Sequence, residues 1–405
     1  MARLLLILLV VLATLSSDQA ERLGLVGLRM PAFVLVTGGL ISLALACCPV
    51  PEEADAGIAM LLALLVGAIA LLDLRGTVDP IDYKLLLPVA VLFAAGPIAA
   101  LLRHLDLPTW HWWVLSSYVS VTALNVMTSN LDELARGAGG IVRIDASGSL
   151  VTHTAFCSMQ LVLSVVTFQE ASAPGRLMRL LAGGCALVML IAAATRTPFL
   201  TLILAGCLLL GVAPDRSWWW RRMVAGSVVA VVFLTVYSAT IDVSLWRRLW
   251  SDGQTEWSTG RAVAIDHWLT SALDHPLGLG LGAVREALGD GKPALDGEAI
   301  LDWPHNEMIR LWVEAGPFGL AFLLVLLGTI TARALRLCRD HPDKAIRGLA
   351  VVVAADAITQ SMFQNWLNSV YHATFGVLVV CVLWRSSTNR QTAASSGLTP
   401  QPTAV

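Results

Sequence analysis

An all-α integral membrane protein is the fold class this sequence predicts, and three observations predict it. Of 405 residues, 56% are hydrophobic and only 14% charged, too little charge for the surface of a soluble fold of this length. Apolar runs of about 15–20 residues recur from end to end, the length at which a helix crosses the hydrocarbon core. In lipid every backbone polar group must be satisfied internally, so these runs are helices rather than open strands.

Window reading places about twelve such spans along the chain. They cover residues 4–15, 31–46, 58–72, 85–102, 113–127, 150–168, 177–194, 198–212, 223–239, 308–330, 349–362 and 371–384. The run 4–15 is read as the first span rather than a signal peptide, because no small-x-small cleavage site follows it and many more spans do. No internal repeat is visible. Four regions result: nine helices over 1–239, a long loop over 240–307, three helices over 308–384, and a tail over 385–405 rich in Ser, Thr, Pro and Gln, a composition that favours disorder.

Orientation follows from the placement of Arg and Lys in short loops. Arg216, Arg221 and Arg222 lie between the eighth and ninth spans. Arg333, Arg336, Arg339, Lys344 and Arg347 lie between the tenth and eleventh, and Arg385 and Arg390 follow the twelfth. All three segments fall on one side, which is therefore expected to be cytoplasmic, with Trp218, Trp219 and Trp220 as an interfacial anchor there. The 240–307 loop then lies outside. It is too long for a simple connector, and long loops are often functional. Its Trp-rich stretches 243–250 and 261–273 mix apolar and charged residues at helical spacing and are expected to form short amphipathic helices.

Several function classes find no support. Formal net charge is −2, so bulk charge says nothing about nucleic acid; membrane lipid is expected as a partner and nucleic acid is not. The seven cysteines mostly lie inside apolar runs and show no metal-type spacing, so neither a disulfide framework nor a metal site is expected. The stretch Pro276-Leu277-Gly278-Leu279-Gly280 has no preceding strand and no following Gly-Lys-Ser/Thr, so it is no nucleotide-binding fingerprint. It reads as a compact turn packing the loop against the membrane.

Three residues on the outer side can carry chemistry. Arg196 sits in a tight connection between two apolar runs, and a cation at that depth is costly unless it is paired or functional. A snorkelling interfacial Arg is the alternative. Arg261 follows Ser258-Thr259-Gly260; Ser258 or Thr259 is expected to cap a helix starting near Arg261, whose backbone N–H groups with the guanidinium would form an anion site. A solvated Arg on a capped surface helix is the alternative. His305 follows Asp302-Trp303-Pro304. Asp302 is a good N-cap and Pro304 suits a first turn, so His305 is expected in the first turn of the tenth span. The helix dipole opposes a charged ring there, Asp302 and Glu307 favour one, and a neutral His is a competent general base. A bilayer-interface His is the alternative. Lys84, at the outer start of the fourth span, is a further candidate phosphate contact or a snorkelling Lys. A competing signal is Asp356, deep in the eleventh span near Thr359 and Gln360, with His153 and Gln160 as candidate partners; an intramembrane carboxylate of this kind would serve a secondary transporter or flippase.

The order of these motifs resembles the O-antigen ligase and polymerase superfamily of bacterial membrane glycosyltransferases. An Arg lies in a tight turn (Arg196), then Ser-x-Gly-Arg opens a long outer loop (Ser258 to Arg261). Pro-x-Gly-x-Gly follows (Pro276 to Gly280), and His305-Asn306 opens a helix that carries Glu314-Ala315-Gly316. The Arg196 turn departs slightly from the family, with Thr195 and Thr197 where members often have Ser. The resemblance implies a GT-C-like architecture of about twelve transmembrane helices with a periplasmic loop, in the bacterial inner membrane. It implies an inverting, metal-independent transferase without cofactor, whose donor is a glycan on undecaprenyl diphosphate. Arg196 and Arg261, with Lys84, would bind the diphosphate and His305 would act on the acceptor hydroxyl, with Asn306 and Glu314 as secondary candidates. An O-antigen ligase would use lipid A-core as acceptor in lipopolysaccharide biosynthesis, a polymerase another lipid-linked repeat. Transfer to protein is disfavoured by the short tail.

Overall fold

A computed structural model describes residues 4–5, 8, 26–47, 60–61, 63–68, 90–91, 93–102, 107–128, 150–169, 171–193, 197–240, 256–288, 294–295, 299–300, 304–364, 367, 376, 379 and 382–384. It is helical throughout, apart from one small hairpin. The helices are α1 (Val26–Cys47), α2 (Ala95–Leu101), α3 (Leu107–Thr128), α4 (Leu150–Thr167), α5 (Ala173–Ala192), α6 (Thr197–Val212), α7 (Arg216–Thr240), α8 (Glu256–Asp274), α9 (Ala283–Leu288), α10 (Glu307–Asp340) and α11 (Lys344–Phe363). Strands β1 (Ala294–Leu295) and β2 (Ala299–Ile300) pair antiparallel within the long loop.

Three helices among the described residues are long and apolar enough to cross a membrane: 173–191, 307–340 and 344–363. Shorter apolar helices cover 35–47 and 197–212. Large apolar side chains face outward on these elements, among them Leu177, Leu181, Ile203, Val228 and Leu324. On a soluble surface such a coat would be a liability; on helices of this length it is the face lipid covers. The expected count of twelve extends over stretches outside the described residues, as do the 243–250 helix and the 385–405 tail.

The core forms where α4, α5, α6, α10 and α11 pack together, and α11 is its axis: residues 349–357 are buried almost without exception. One end of the bundle is fixed by charge. Arg347 at the start of α11 pairs with Asp215 in the α6–α7 turn at 2.8 Å, and Lys344 lies over the Trp218 ring at 4.5 Å. Arg333 near the end of α10 stacks on Trp384 at 4.4 Å. A Cβ on Gly348 would meet Val162, Val166 and Trp219 within 3.3 Å, so the end of α4 arrives here too. The Arg-rich segments at 216–222 and 333–347 therefore share one end, with Trp384 beside them; Arg385 and Arg390 lie outside the described residues.

The opposite end follows by chain direction. There α4 begins, α5 turns into α6, α7 runs out into the long loop, and α10 begins.

Candidate active site at the far end of the bundle

The α10 helix is two helices in one. Gly316 has φ 58° and ψ −148°, and Pro317 follows it. Pro317 has no N–H, so the Val313 carbonyl, four residues back, loses its normal helical donor. The glycine-rich loop supplies the replacement. Leu279 N–H donates to Val313 O at 2.8 Å, and Gly280 N–H donates to Glu314 O at 2.9 Å. The approach is backbone to backbone: a Cβ on Gly278 (φ 87°) would lie 2.6 Å from Glu314 O, and one on Gly316 would lie 2.8 Å from Pro276 O. The Pro-Leu-Gly-Leu-Gly stretch thus packs the loop against the break in α10, not against the membrane as its sequence suggests; the attraction is the pair of carbonyls that Gly316 and Pro317 leave open.

A second contact docks the loop. Ala264, Trp268 and Ala272 lie along one face of α8, and Trp268, 1% exposed, packs in one cluster with Ile309, Trp312 and Val313 of α10. The exit of α8 is held at residues 313–316 and its middle at 309–313, so its N-terminal half points toward the start of α10. Arg261 lies in that half, three residues before Ala264 and seven before Trp268. Its side chain is outside the described residues.

The expected cap at Ser258 or Thr259 is corrected: α8 begins at Glu256, so both residues lie inside the helix and Arg261 stands in its second turn.

His305 is also corrected. The N-cap of α10 is Asn306, whose side-chain oxygen accepts from Met308 N at 2.9 Å and Ile309 N at 3.1 Å. A capping Asn competes well for these N–H groups, and it displaces His305 to the residue before the cap. His305 adopts φ 46° and is half-buried. Asn306 is thereby accounted for as the cap. Asp302 lies outside the described residues, as do Arg196 and Lys84. The ends that flank Arg196, Ala192 of α5 and Thr197 of α6, lie at the same end of the bundle as His305.

Sequence reasoning missed one cluster here. Arg310, 1% exposed, donates through Nη1 to Glu314 at 2.6 Å and through Nε to Glu307 at 3.1 Å, and a second nitrogen, Nη2, also meets Glu307. The i, i+3 and i, i+4 spacing of Glu307, Arg310 and Glu314 was the available signal. Glu314, a secondary candidate, is thus engaged by Arg310.

Asp356 sits in a separate polar cluster. It accepts from Thr201 at 3.5 Å and Gln360 at 3.3 Å, while Gln360 also donates to Thr154 at 3.2 Å and Thr201 pairs with Thr359 at 2.5 Å. The expected partners are corrected: the His153 ring bonds Tyr118 at 2.9 Å and Gln160 bonds Ser164 at 3.0 Å, because both turn toward α3 or along α4 rather than toward α11. No group of three or more His, Cys, Asp or Glu able to hold a metal occurs among the described residues.

Fold and site define a class: a helical membrane protein whose long loop is clasped to a broken helix beside a histidine. Residues 181–324 match the family model described as O-Antigen ligase, a segment that runs from α5 through the loop and the break in α10. That segment is thus similar to an O-antigen ligase domain, and the match covers it alone. None of the curated proteins compared matches the chain.

Proposed function

We propose that this chain is the ligase of its family. It transfers an assembled polysaccharide from undecaprenyl diphosphate to lipid A-core at the periplasmic face of the inner membrane, in an inverting and metal-independent reaction. What supports this reading is that, around the family-matched segment, the ends of α5 and α6 that flank Arg196 and the start of α10 next to His305 lie at the end opposite the basic loops, while α8, which bears Arg261, packs on α10.

The chemistry suits these residues. The acceptor hydroxyl oxygen attacks the anomeric carbon, and the bond from that carbon to the diphosphate oxygen breaks. The electron pair leaves with the lipid diphosphate, so negative charge grows there in the transition state. Fixed guanidinium groups at Arg196 and Arg261, aided by Lys84, stabilise that charge more than they stabilise the bound donor. His305 takes the proton of the attacking hydroxyl. Arg suits the diphosphate because its planar fork binds phosphate oxygens in pairs.

A strain deleted for this chain tests the reading, with its glycans separated on a gel. A ligase loss leaves lipid A-core bare while lipid-linked polymer persists. Single repeats on lipid A-core would instead assign the polymerase reaction, with a lipid-linked repeat as acceptor, and overturn the ligase.

A further inference from the structure

We propose that Arg310 is a positioning residue for His305, acting through a buried ion network with Glu307 and Glu314. The inference rests on the reading of His305 as the base.

Three observations carry it. The network is sealed: Glu307, Arg310 and Glu314 are 0%, 1% and 2% exposed. Pairs at this helical spacing are ordinarily solvated and contribute a few tenths of a kcal/mol. Buried, they incur a desolvation cost that apolar residues of similar size would avoid, so stability is a weak reason for them. The network also lies in the first two turns of α10, and its first member is two residues from His305. Finally, Glu314 is gripped twice, its carboxylate by Arg310 at 2.6 Å and its carbonyl by Gly280 N–H at 2.9 Å. Hydrogen bonds thus link the loop, Glu314, Arg310 and Glu307, and Glu307 stands two residues from His305 beside the Asn306 cap.

Such a chain does what His305 requires. The residue stands outside the helix at φ 46°, a backbone region few side chains adopt without support. Its ring direction depends on how rigidly the following turn is held. A planar guanidinium reaching two carboxylates, one a helical turn before it and one a turn after, holds those turns more tightly than an ammonium, whose donors are not fixed in a plane.

The test is a double-mutant cycle on the full chain purified in detergent, with turnover measured at saturating donor and binding measured with undecaprenyl diphosphate. Arg310→Lys should lower turnover by about 10- to 100-fold, the scale of a small misplacement of a catalytic group. Binding of undecaprenyl diphosphate should stay within about twofold. In the His305→Ala background the same substitution should change residual turnover less than about twofold, because there is no longer a base to position. Full additivity of the two losses, unchanged turnover in Arg310→Lys, or a parallel loss of diphosphate binding each overturns the proposal. If Arg310→Lys does not fold, Glu314→Gln, which keeps shape and an acceptor, must show the same non-additivity with His305→Ala. Failure of His305→Ala itself to lower turnover removes the base assignment, and the proposal with it; additivity with that loss intact removes only the positioning role.

Discussion

His305 stands just before the Asn306 cap of α10, with φ 46°, and is half-buried. Histidine tolerates the left-handed region better than most side chains, yet such a conformation still costs roughly 1–3 kcal/mol and persists only where the surroundings over-determine it. The Asn306 cap follows it directly, and on the proposed reading the Arg310 network supplies the remaining support. A division of labour follows. His305→Ala should bind undecaprenyl diphosphate nearly as the parent does while losing about 100- to 10,000-fold in turnover, the usual range for a general base. Arg196→Ala and Arg261→Ala should weaken both, since on the proposed reading they meet the diphosphate in the ground state and more strongly in the transition state. Isothermal titration and single-turnover kinetics on the purified proteins separate the two. If diphosphate affinity falls as far in His305→Ala as in the Arg variants, His305 is a phosphate ligand rather than the base.

The element that decides the site is the broken α10. Gly316 ends one helical segment, Pro317 starts the next, and the loop at Gly278–Gly280 docks on the carbonyls left between them. Two glycines meet there because backbone must approach backbone: any Cβ at Gly278 or Gly316 would fall within 2.8 Å of main-chain atoms, at φ values that L-residues rarely adopt. Gly316→Ala should therefore both strain its own backbone and push the loop away. The strain alone should cost about 1–3 kcal/mol. The expected readings are a lowered thermal midpoint in detergent and turnover reduced at least tenfold, on the order of a displaced catalytic element. A midpoint and turnover matching the parent would mean the clasp is dispensable.

At the scale of the whole molecule, charge and aromatic contacts sort the two ends. Asp215, Arg347, Lys344 and Trp218 meet at one end, and Arg333 with Trp384 joins them. These contacts are partly buried, and their consequence is topological, since they tie the segments 215–222 and 333–347 to one face. Between the ends, Asp356 joins α11 to α6 through Thr201, and Gln360 joins α11 to α4 through Thr154. These polar ties sit in the packed core, where lipid cannot satisfy them. If the basic end is cytoplasmic, a cysteine at the exposed His275 should react with a membrane-impermeant maleimide in intact spheroplasts. A cysteine at the exposed Arg339 should react only after the membrane is opened. Both variants belong in a background without the seven native cysteines. The reverse labelling pattern would invert the topology and place the candidate site in the cytoplasm.

The sequence by itself determined the helical membrane class, the common side of the Arg-rich loops and the candidate set Arg196, Arg261 and His305. Hydropathy, loop charge and motif order are properties of the linear chain, and each has a physical cause that acts over one span or one loop. Only the tertiary structure decided what the glycine-rich stretch packs on, because its partners are carbonyls that Gly316 and Pro317 expose some forty residues later. It also decided that Asn306 rather than Asp302 caps α10, since capping is settled by which side chain reaches the free N–H groups. And it decided that Glu307, Arg310 and Glu314 are buried together: their spacing is legible in the sequence, but the same spacing serves a solvated helix face, and burial depends on what the rest of the fold lays over it.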